Sequence, residues 1–350
     1  MKAMPHIPPA GSDAILVGTG GIGTGVFFAL DGMETLGREE SRSGRFLDQR
    51  DYCKLHIVAH GVKKLSGPKL LVYPVGRVGN DADGHRLMAE MQAAELLLDH
   101  VKVTADAPTL RAVSFLYPDG SGGNLTTRES ASHTLQEKDI RAITPLLKSH
   151  HGRGFAVALP EVPLAARKEL LSVAQRHDFF TAASFLSSEM AYVRASSLLN
   201  DVDLLAVNAD EAACLAEVSR ELPPEEMIPT LIHAMTEKHP HLRLCVTAGR
   251  HGSWTWELGT LRHVAPCAVE ARNAAGAGDT HLAGLLAGLG AGLSFADAHQ
   301  VAALAGAFSV TSEHAIHPDL SRANLLALST GTNQSPSEAV REFLKQKENP

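Results

Sequence analysis

Asn273-Ala274-Ala275-Gly276-Ala277-Gly278-Asp279-Thr280 decides how this chain is read. Leu282, Leu285, Leu286 and Leu289 follow at i, i+3, i+4 and i+7, the spacing of a helix with one apolar face. A loop of small residues that runs straight into a helix leaves several backbone N–H groups without partners at the helix start. Those donors, with the positive end of the helix dipole, form a site for an anion such as a phosphate. Gly276, Ala277 and Gly278 carry no bulk that would hold a ligand away from the backbone. Asp279 is unexpected beside such a site, because a carboxylate repels a phosphate. Two readings follow. Either Asp279 caps a buried helix, or it takes the proton of an attacking hydroxyl while the loop holds the group being transferred.

Composition narrows the classes. The 350 residues are 44% hydrophobic and 20% charged, enough for one large α/β domain or two smaller ones. A net charge of −7 gives no general attraction to nucleic acid or to a membrane surface. No stretch approaches the roughly 18 uninterrupted apolar residues of a membrane span. MKAMPHIPPAGSD, at the start, has prolines where a secretion signal needs an apolar run. Cys53, Cys214, Cys245 and Cys267 show no CxxC spacing and read as reduced thiols of a cytoplasmic protein. The 18 histidines are scattered, with no pair flanked by zinc-type partners.

Ala14-Ile15-Leu16-Val17 reads as a buried strand running into Gly18-Thr19-Gly20-Gly21-Ile22-Gly23, a GxGxxG string. A dinucleotide site needs a helix next and a second strand ending in an acid roughly 20 residues on. Residues 36–45 are charged and strandless, which argues against an NAD-dependent oxidoreductase; glycines packed close to a ligand or a strand explain the string as well. Helical spacing over 51–65 places Leu55, Val58, Val62 and Leu65 on one face. Residues 70–75 read as a strand, 76–84 as a tight polar loop and 87–98 as a helix. Residues 111–117 alternate as a two-faced strand does, Pro118-Asp119-Gly120 turns it, and 124–127 return as its partner. From about residue 140 strands (155–159, 179–183, 204–207, 242–247) alternate with helices (164–176, 210–217). That rhythm predicts a parallel sheet with helices on both faces and ligands beyond the carboxyl ends of the strands. The tail after Thr332 reads as weakly ordered.

Two of those strand ends carry candidates. Asn208-Ala209-Asp210-Glu211 offers an amide and two carboxylates that can hold Mg²⁺ through waters, or is simply the acidic start of a helix. Val246-Thr247-Ala248-Gly249-Arg250-His251-Gly252 offers a hydroxyl and two glycines that can border the phosphates and ribose of a nucleotide, or is a tight turn.

In chain order, NxxE at 208–211, TxGxxG at 247–252 and GAGD at 276–279 resemble the motifs of the PfkB family of carbohydrate kinases, which have the ribokinase-like fold. The resemblance spans roughly residues 14 to 320. AAGAGDTHLAGLLAGL is its strongest part, and GRVGNDADG (76–84) resembles the family's G-x-V-G-x-D-x-x-G loop. It implies an α/β domain over residues 1–330 with a central, mainly parallel sheet, helices on both faces and a small β lid near 70–75 and 111–130, followed by a tail at 331–350. It implies Asp279 as general base and Gly276, Ala277 and Gly278 as anion hole. Asn208 and Glu211 match the Mg²⁺ and phosphate motif, and Thr247, Gly249 and Gly252 the nucleotide-side turn. ATP and Mg²⁺ are the implied cofactors. A monovalent cation such as K⁺ is common near the anion hole, although Asn273 stands where an Asp is usual.

The N-terminal half departs from the family pattern. Typical members carry an Asp soon after the first strand and a GGN-type helix start, both contacting substrate hydroxyls. Here Gly20 and Gly21 follow the strand with no acid until Asp31, and Asp51-Tyr52-Cys53-Lys54-Leu55-His56 stands at the second position. Gly122-Gly123-Asn124 lies in the projecting sheet. The acceptor candidates are therefore Gly20, Gly21, Asp31, Lys54, His56, Asn124 and Arg128; Lys54 and His56 suit an acidic or phosphorylated acceptor, and Arg128 reaches over from the lid. The expected protein is an ATP-dependent phosphotransferase acting on a hydroxyl of a sugar or sugar-like small molecule, homodimeric through its lid. A nucleoside kinase is the nearest alternative, and the 5% aromatic content speaks against its stacking platform. A catalytically silent nucleotide-binding regulator is the non-enzyme alternative.

Overall fold

Successive side chains of a strand point to opposite faces, and the first strand uses both. In the computed structural model, which describes residues 7–8 and 13–346, β1 (Ile15–Thr19) sends Ile15 and Val17 into one apolar layer and Leu16 into another. A strand buried on both faces has no polar alternation, which is why ILV reads as a plain apolar run. β4 (Leu71–Gly79) and β8 (Gly154–Ala158) flank it in parallel. β5 (Val101–Thr104), β9 (Phe180–Ala183), β10 (Leu204–Asn208) and β11 (Arg243–Thr247) extend the parallel array. An antiparallel hairpin, β12 (Ser253–Glu257) and β13 (Thr260–Val264), completes a nine-stranded sheet of order β13-β12-β11-β10-β9-β8-β1-β4-β5.

Helices cover both faces. Leu55, Val58 and Val62 of the helix Lys54–Ser66 and Leu282, Leu285 and Leu286 of the helix Ala277–Gly290 pack with Leu16, Val72 and Val157. These helices nearly touch: a Cβ on Gly61 would lie 2.8 Å from Ala283 Cβ. Likewise Cβ atoms on Gly284 and Gly288 would lie 2.9 Å from the Cα atoms of Ala302 and Ala298 in the helix Phe295–Ser309. On the other face Ile140, Ile143, Leu147 and Leu170 cover Ile15, Val17 and Ala156.

A second sheet stands on the first. After Ile22 the chain enters β2 (Gly23–Leu30), a strand where a dinucleotide site would need a helix. With β3 (Gly44–Tyr52), β6 (Leu110–Leu116) and β7 (Gly122–Thr126) it forms a four-stranded lid of order β3-β2-β6-β7. The segment 70–75, expected in the lid, gives from Leu71 onward β4 beside the centre of the main sheet, with Leu71 opposite Ile15. Periodicity identifies a strand but not its sheet. The segment read as strandless contributes a lid strand from Gly44 onward, and its charges suit an exposed edge. The helix read from residue 51 starts at Lys54, with Asp51 still in β3. The tail is not loose over residues 338–345: the helix Glu338–Lys345 buries Val340, Phe343 and Leu344 against Val301, Leu304 and Leu325. Among the described residues no helix is long and apolar enough to cross a membrane, and the four cysteines are free.

A buried polar chain ties the helices to β12. Ser253 Oγ lies 2.7 Å from His299 Nε2 and 3.1 Å from His281 Nε2, and Thr255 Oγ1 lies 3.0 Å from His299 Nδ1. Burial holds these imidazoles neutral, His281 down to about 4 and His299 to about 2 from an ordinary 6.5. His56 and His60 are likewise pushed down by burial, to about 3 and about 4.

Two stability predictions follow from this packing. Phe343→Ala removes a buried ring that also carries the Arg322 guanidinium 4.1 Å above it; denaturant unfolding should show a loss of about 3–5 kcal/mol. His56, His60, His281 and His299, the most strongly depressed histidines, take up protons in the unfolded chain from about pH 6.5 downward, where the folded chain does not. Their contribution is complete above that pH and is lost on acidification. The melting temperature should fall from pH 7 to pH 5, and His299→Gln should flatten that slope.

Candidate active site

Asn273 sets the loop on which the sequence reading turned. It is buried, its Nδ2 donates to Glu313 O at 2.9 Å and its Oδ1 accepts from Ala275 N at 2.9 Å. Gly276 follows at φ +77°, where a Cβ would also lie 2.8 Å from Ala315 O, so no other residue fits without strain. Ala277 N donates to Ala274 O at 3.3 Å. Among the described residues the N–H groups of Gly276, Gly278 and Asp279 have no protein acceptor. A Cβ on Gly278 would meet nothing nearer than Thr247 Oγ1, at 3.8 Å. Orphan donors at an open helix start make an anion site.

Asp279 does not cap its helix. The N-cap is Gly276, with no side-chain cap bond, and the Asp279 carboxylate meets Lys54 Nζ at 3.5 Å. Its side chain is 14% exposed. Burial pushes the carboxyl above its ordinary 3.8, and the Lys54 ammonium opposes that.

Lys54 opens the helix Lys54–Ser66, and its N–H donates to Glu161 Oε2 at 3.2 Å. Glu161 sits in the left-handed region, at φ 72°, just past the carboxyl end of β8. The glycine string makes room for it: Gly21 N donates to Pro160 O at 2.9 Å, and a Cβ on Gly21 would collide with the Glu161 side chain. Gly20 is as tight against Leu159. Burial raises the Glu161 carboxyl, with Lys54 opposing, and burial with Glu161 beside it raises the Cys53 thiol well above its ordinary value.

These groups lie on a cavity of about 700 Å³ between main sheet and lid. Lys54, Glu161, Asn208 and Asp279 line it from the sheet side, and Asp51, Ser114, Asn124 and Arg128 from the lid side. Asp51 accepts from Tyr52 N at 2.8 Å and from the Ser114 hydroxyl, and its burial raises the carboxyl.

Asn208 and Glu211 form a reciprocal capping box. Asn208 Oδ1 accepts from Glu211 N at 2.8 Å, and Glu211 Oε2 accepts from Asn208 N at 2.9 Å. Neither bond uses Glu211 Oε1. Burial raises the Glu211 carboxyl, and Lys54 again opposes. Among the described residues no group of three or more His, Cys, Asp or Glu could by itself hold a metal ion. Thr247 ends β11 beside Asn208 of β10, and Gly249 and Gly252 turn the following loop at φ +51° and +84°.

Not every candidate joins this group. His56 is buried against Tyr52, ring centroids 4.8 Å apart, and faces a separate cavity of about 580 Å³ with His60 and His314. Helical position explains this: Lys54 points to the sheet end, His56 round the side. Asp31 is exposed on a different hollow with Arg45 and Tyr117. Gly20 and Gly21 support the loop of Glu161 and do not line the cavity between sheet and lid. Asp51, Ser114 and Glu161 were missed as candidates. Glu161 had a signal, as the acid just past a strand's carboxyl end; Asp51 and Ser114 needed the lid's register.

Comparison with known proteins bears on the family and the fold. The family described as pfkB family carbohydrate kinase matches residues 58–322. Comparison with curated proteins finds no match. Among solved structures, ribokinase from Cryptococcus neoformans var. grubii serotype A in complex with ADP is 19% identical, with 91% of this chain and 99% of that chain covered and a TM-score of 0.72. Arabidopsis thaliana ribokinase complexed with ribose and ATP is 19% identical, covering 97% and 99%, at TM-score 0.66. Adenosine kinase from Sinorhizobium meliloti is 18% identical, covering 89% and 98%, at TM-score 0.69. A family match over most of the chain, joined to a ribokinase-like fold, places this protein in the pfkB family of carbohydrate kinases, as a kinase whose acceptor is a hydroxyl group.

Proposed function

We propose that the chain transfers the γ-phosphoryl group of ATP to a hydroxyl of a sugar or sugar-like molecule bound between lid and main sheet. One observation carries the reading: Asp279, which has no capping task, stands beside orphan amides on the floor of a lidded cavity. In this reading Asp279 takes the acceptor's proton. The amides of Gly276, Gly278 and Asp279 hold the charge of the transferring group. Asp51, Asn124 and Arg128 meet the acceptor from the lid, and the closed lid excludes water that would otherwise hydrolyse ATP. Thr247, Gly249 and Gly252 border the nucleotide.

Mg²⁺ suits this donor set. It binds through one or two carboxylates, waters and substrate phosphates, and Glu211 Oε1 is a carboxylate oxygen that the capping box does not use. When bound, Mg²⁺ would offset phosphate charge. A monovalent cation such as K⁺ would find carbonyls near the loop and no carboxylate at Asn273, whose side chain bonds Ala275 and Glu313. The reading extends to a cytoplasmic homodimer joined through the lid, whose exposed Val26, Phe46, Val113 and Leu125 give it an apolar outer face.

The test is ADP formation from ATP·Mg²⁺ across sugars, sugar acids, sugar phosphates and nucleosides. At least one acceptor should stimulate it. Asp279→Asn should lower acceptor-dependent turnover at least ~100-fold while ATP still binds; near-normal turnover would remove Asp279 as base. Gly276→Ala meets both a forbidden φ and Ala315 O, so it should lose turnover with its circular dichroism spectrum intact.

A further inference from the structure

Lys54 stands where a helix alone would not put a cation. It is the first residue of a 13-residue helix with no acidic residue in its first turn, and a positive charge there opposes the helix dipole. Carboxylates from three other segments hold it instead. Asp279 is in contact at 3.5 Å, and Glu161 and Glu211 act on the ammonium from nearby. A residue that breaks a local rule and is compensated from afar marks a functional position.

The contact with Asp279 is loose. An ammonium–carboxylate hydrogen bond is ordinarily about 2.7–2.9 Å, and here Nζ is 3.5 Å away with 34% of the side chain still exposed. The ammonium is therefore near the base without being committed to it. The starts of the helices Lys54–Ser66 and Ala277–Gly290 meet at this contact, beside the orphan amides. Arg128 lines the same cavity from the lid side, and Lys54 is the cation in contact with the base at its floor.

We infer that Lys54 is a catalytic residue of the transfer: its ammonium pairs with Asp279 before substrates bind and shifts to the equatorial oxygens of the transferring phosphoryl group, releasing the carboxylate to act as base. The inference rests on the kinase reading above and adds to it a cation built into the protein. In the step, the acceptor oxygen gives its proton to Asp279 and forms the new O–P bond. The bond from phosphorus to the bridging oxygen of ATP breaks, and its electron pair leaves with ADP. Lys54 keeps its protons throughout and supplies charge alone. Its place at the base also sets it apart from an anchor for a remote acidic group on the acceptor, since it touches the residue that must touch the reacting hydroxyl.

The experiment compares the wild type with Lys54→Met, Lys54→Ala and Asp279→Asn, all full-length, using ATP·Mg²⁺ and whichever panel acceptor stimulates ADP formation. Lys54→Met should lower kcat about 100-fold or more, with the acceptor KM within about threefold of the wild type and ADP affinity kept. Methylammonium or ethylammonium should restore part of the turnover of Lys54→Ala and none of Asp279→Asn. A raised acceptor KM with unchanged kcat would overturn the proposal and make Lys54 an acceptor clamp. A loss of turnover accompanied by a lowered melting temperature, with no rescue by amines, would overturn it in favour of a structural pin. If Asp279→Asn abolishes turnover and Lys54→Met leaves it unchanged, the kinase reading stands and this inference falls; if the wild type is silent with every acceptor, both fall.

Discussion

The near contact of the helices Lys54–Ser66 and Ala277–Gly290 is the constraint on which the site depends. Gly61 leaves no room for a Cβ against Ala283, and Gly284 and Gly288 repeat the arrangement on the next helix. Helices held this close cover one face of the sheet and bring their first residues within reach, and so Lys54 meets Asp279. Close-packed interiors transmit small displacements, so the spacing of the two charged residues is fixed by apolar packing well below them. The electrostatics at the surface of the sheet are in this sense a product of the small residues in its core.

The same logic explains the glycines that follow β1. They read as a phosphate-binding string, and the chain uses them for clearance. Gly20 and Gly21 let the segment 159–161 pass close by, and Glu161, in the left-handed region there, reaches Lys54 N with its carboxylate. A bulkier residue at either place would push Glu161 outward. Backbone held in such a region is typical of functional sites.

The C-terminal half was legible because its determinants are local. The loop 273–280, the turn 247–252 and the capping box 208–211 each lie within a few consecutive residues, and the parallel sheet follows from alternation of strand and helix. The lid was half legible: strands 110–116 and 122–126 form a hairpin, whereas β2 and β3 join them through pairings that no short window contains. Residues 70–75 were misplaced for the same reason. Asp51 and Ser114 became site residues only once β3 and β6 were brought into one sheet, and His56 was excluded only once the helix phase was known. The tail helix was legible in principle, since Val340, Phe343 and Leu344 have amphipathic spacing.

β3 ends at Tyr52 and the helix begins at Lys54, leaving Cys53 alone between lid and floor. One residue gives a joint almost no slack. Asp51, on the lid side of it, lines the cavity, and Lys54, on the floor side, contacts Asp279. Lid strand and floor helix therefore share one short connection. The residue that lines the cavity from the lid and the residue that contacts Asp279 at its floor are thus placed by one connection of three peptide bonds.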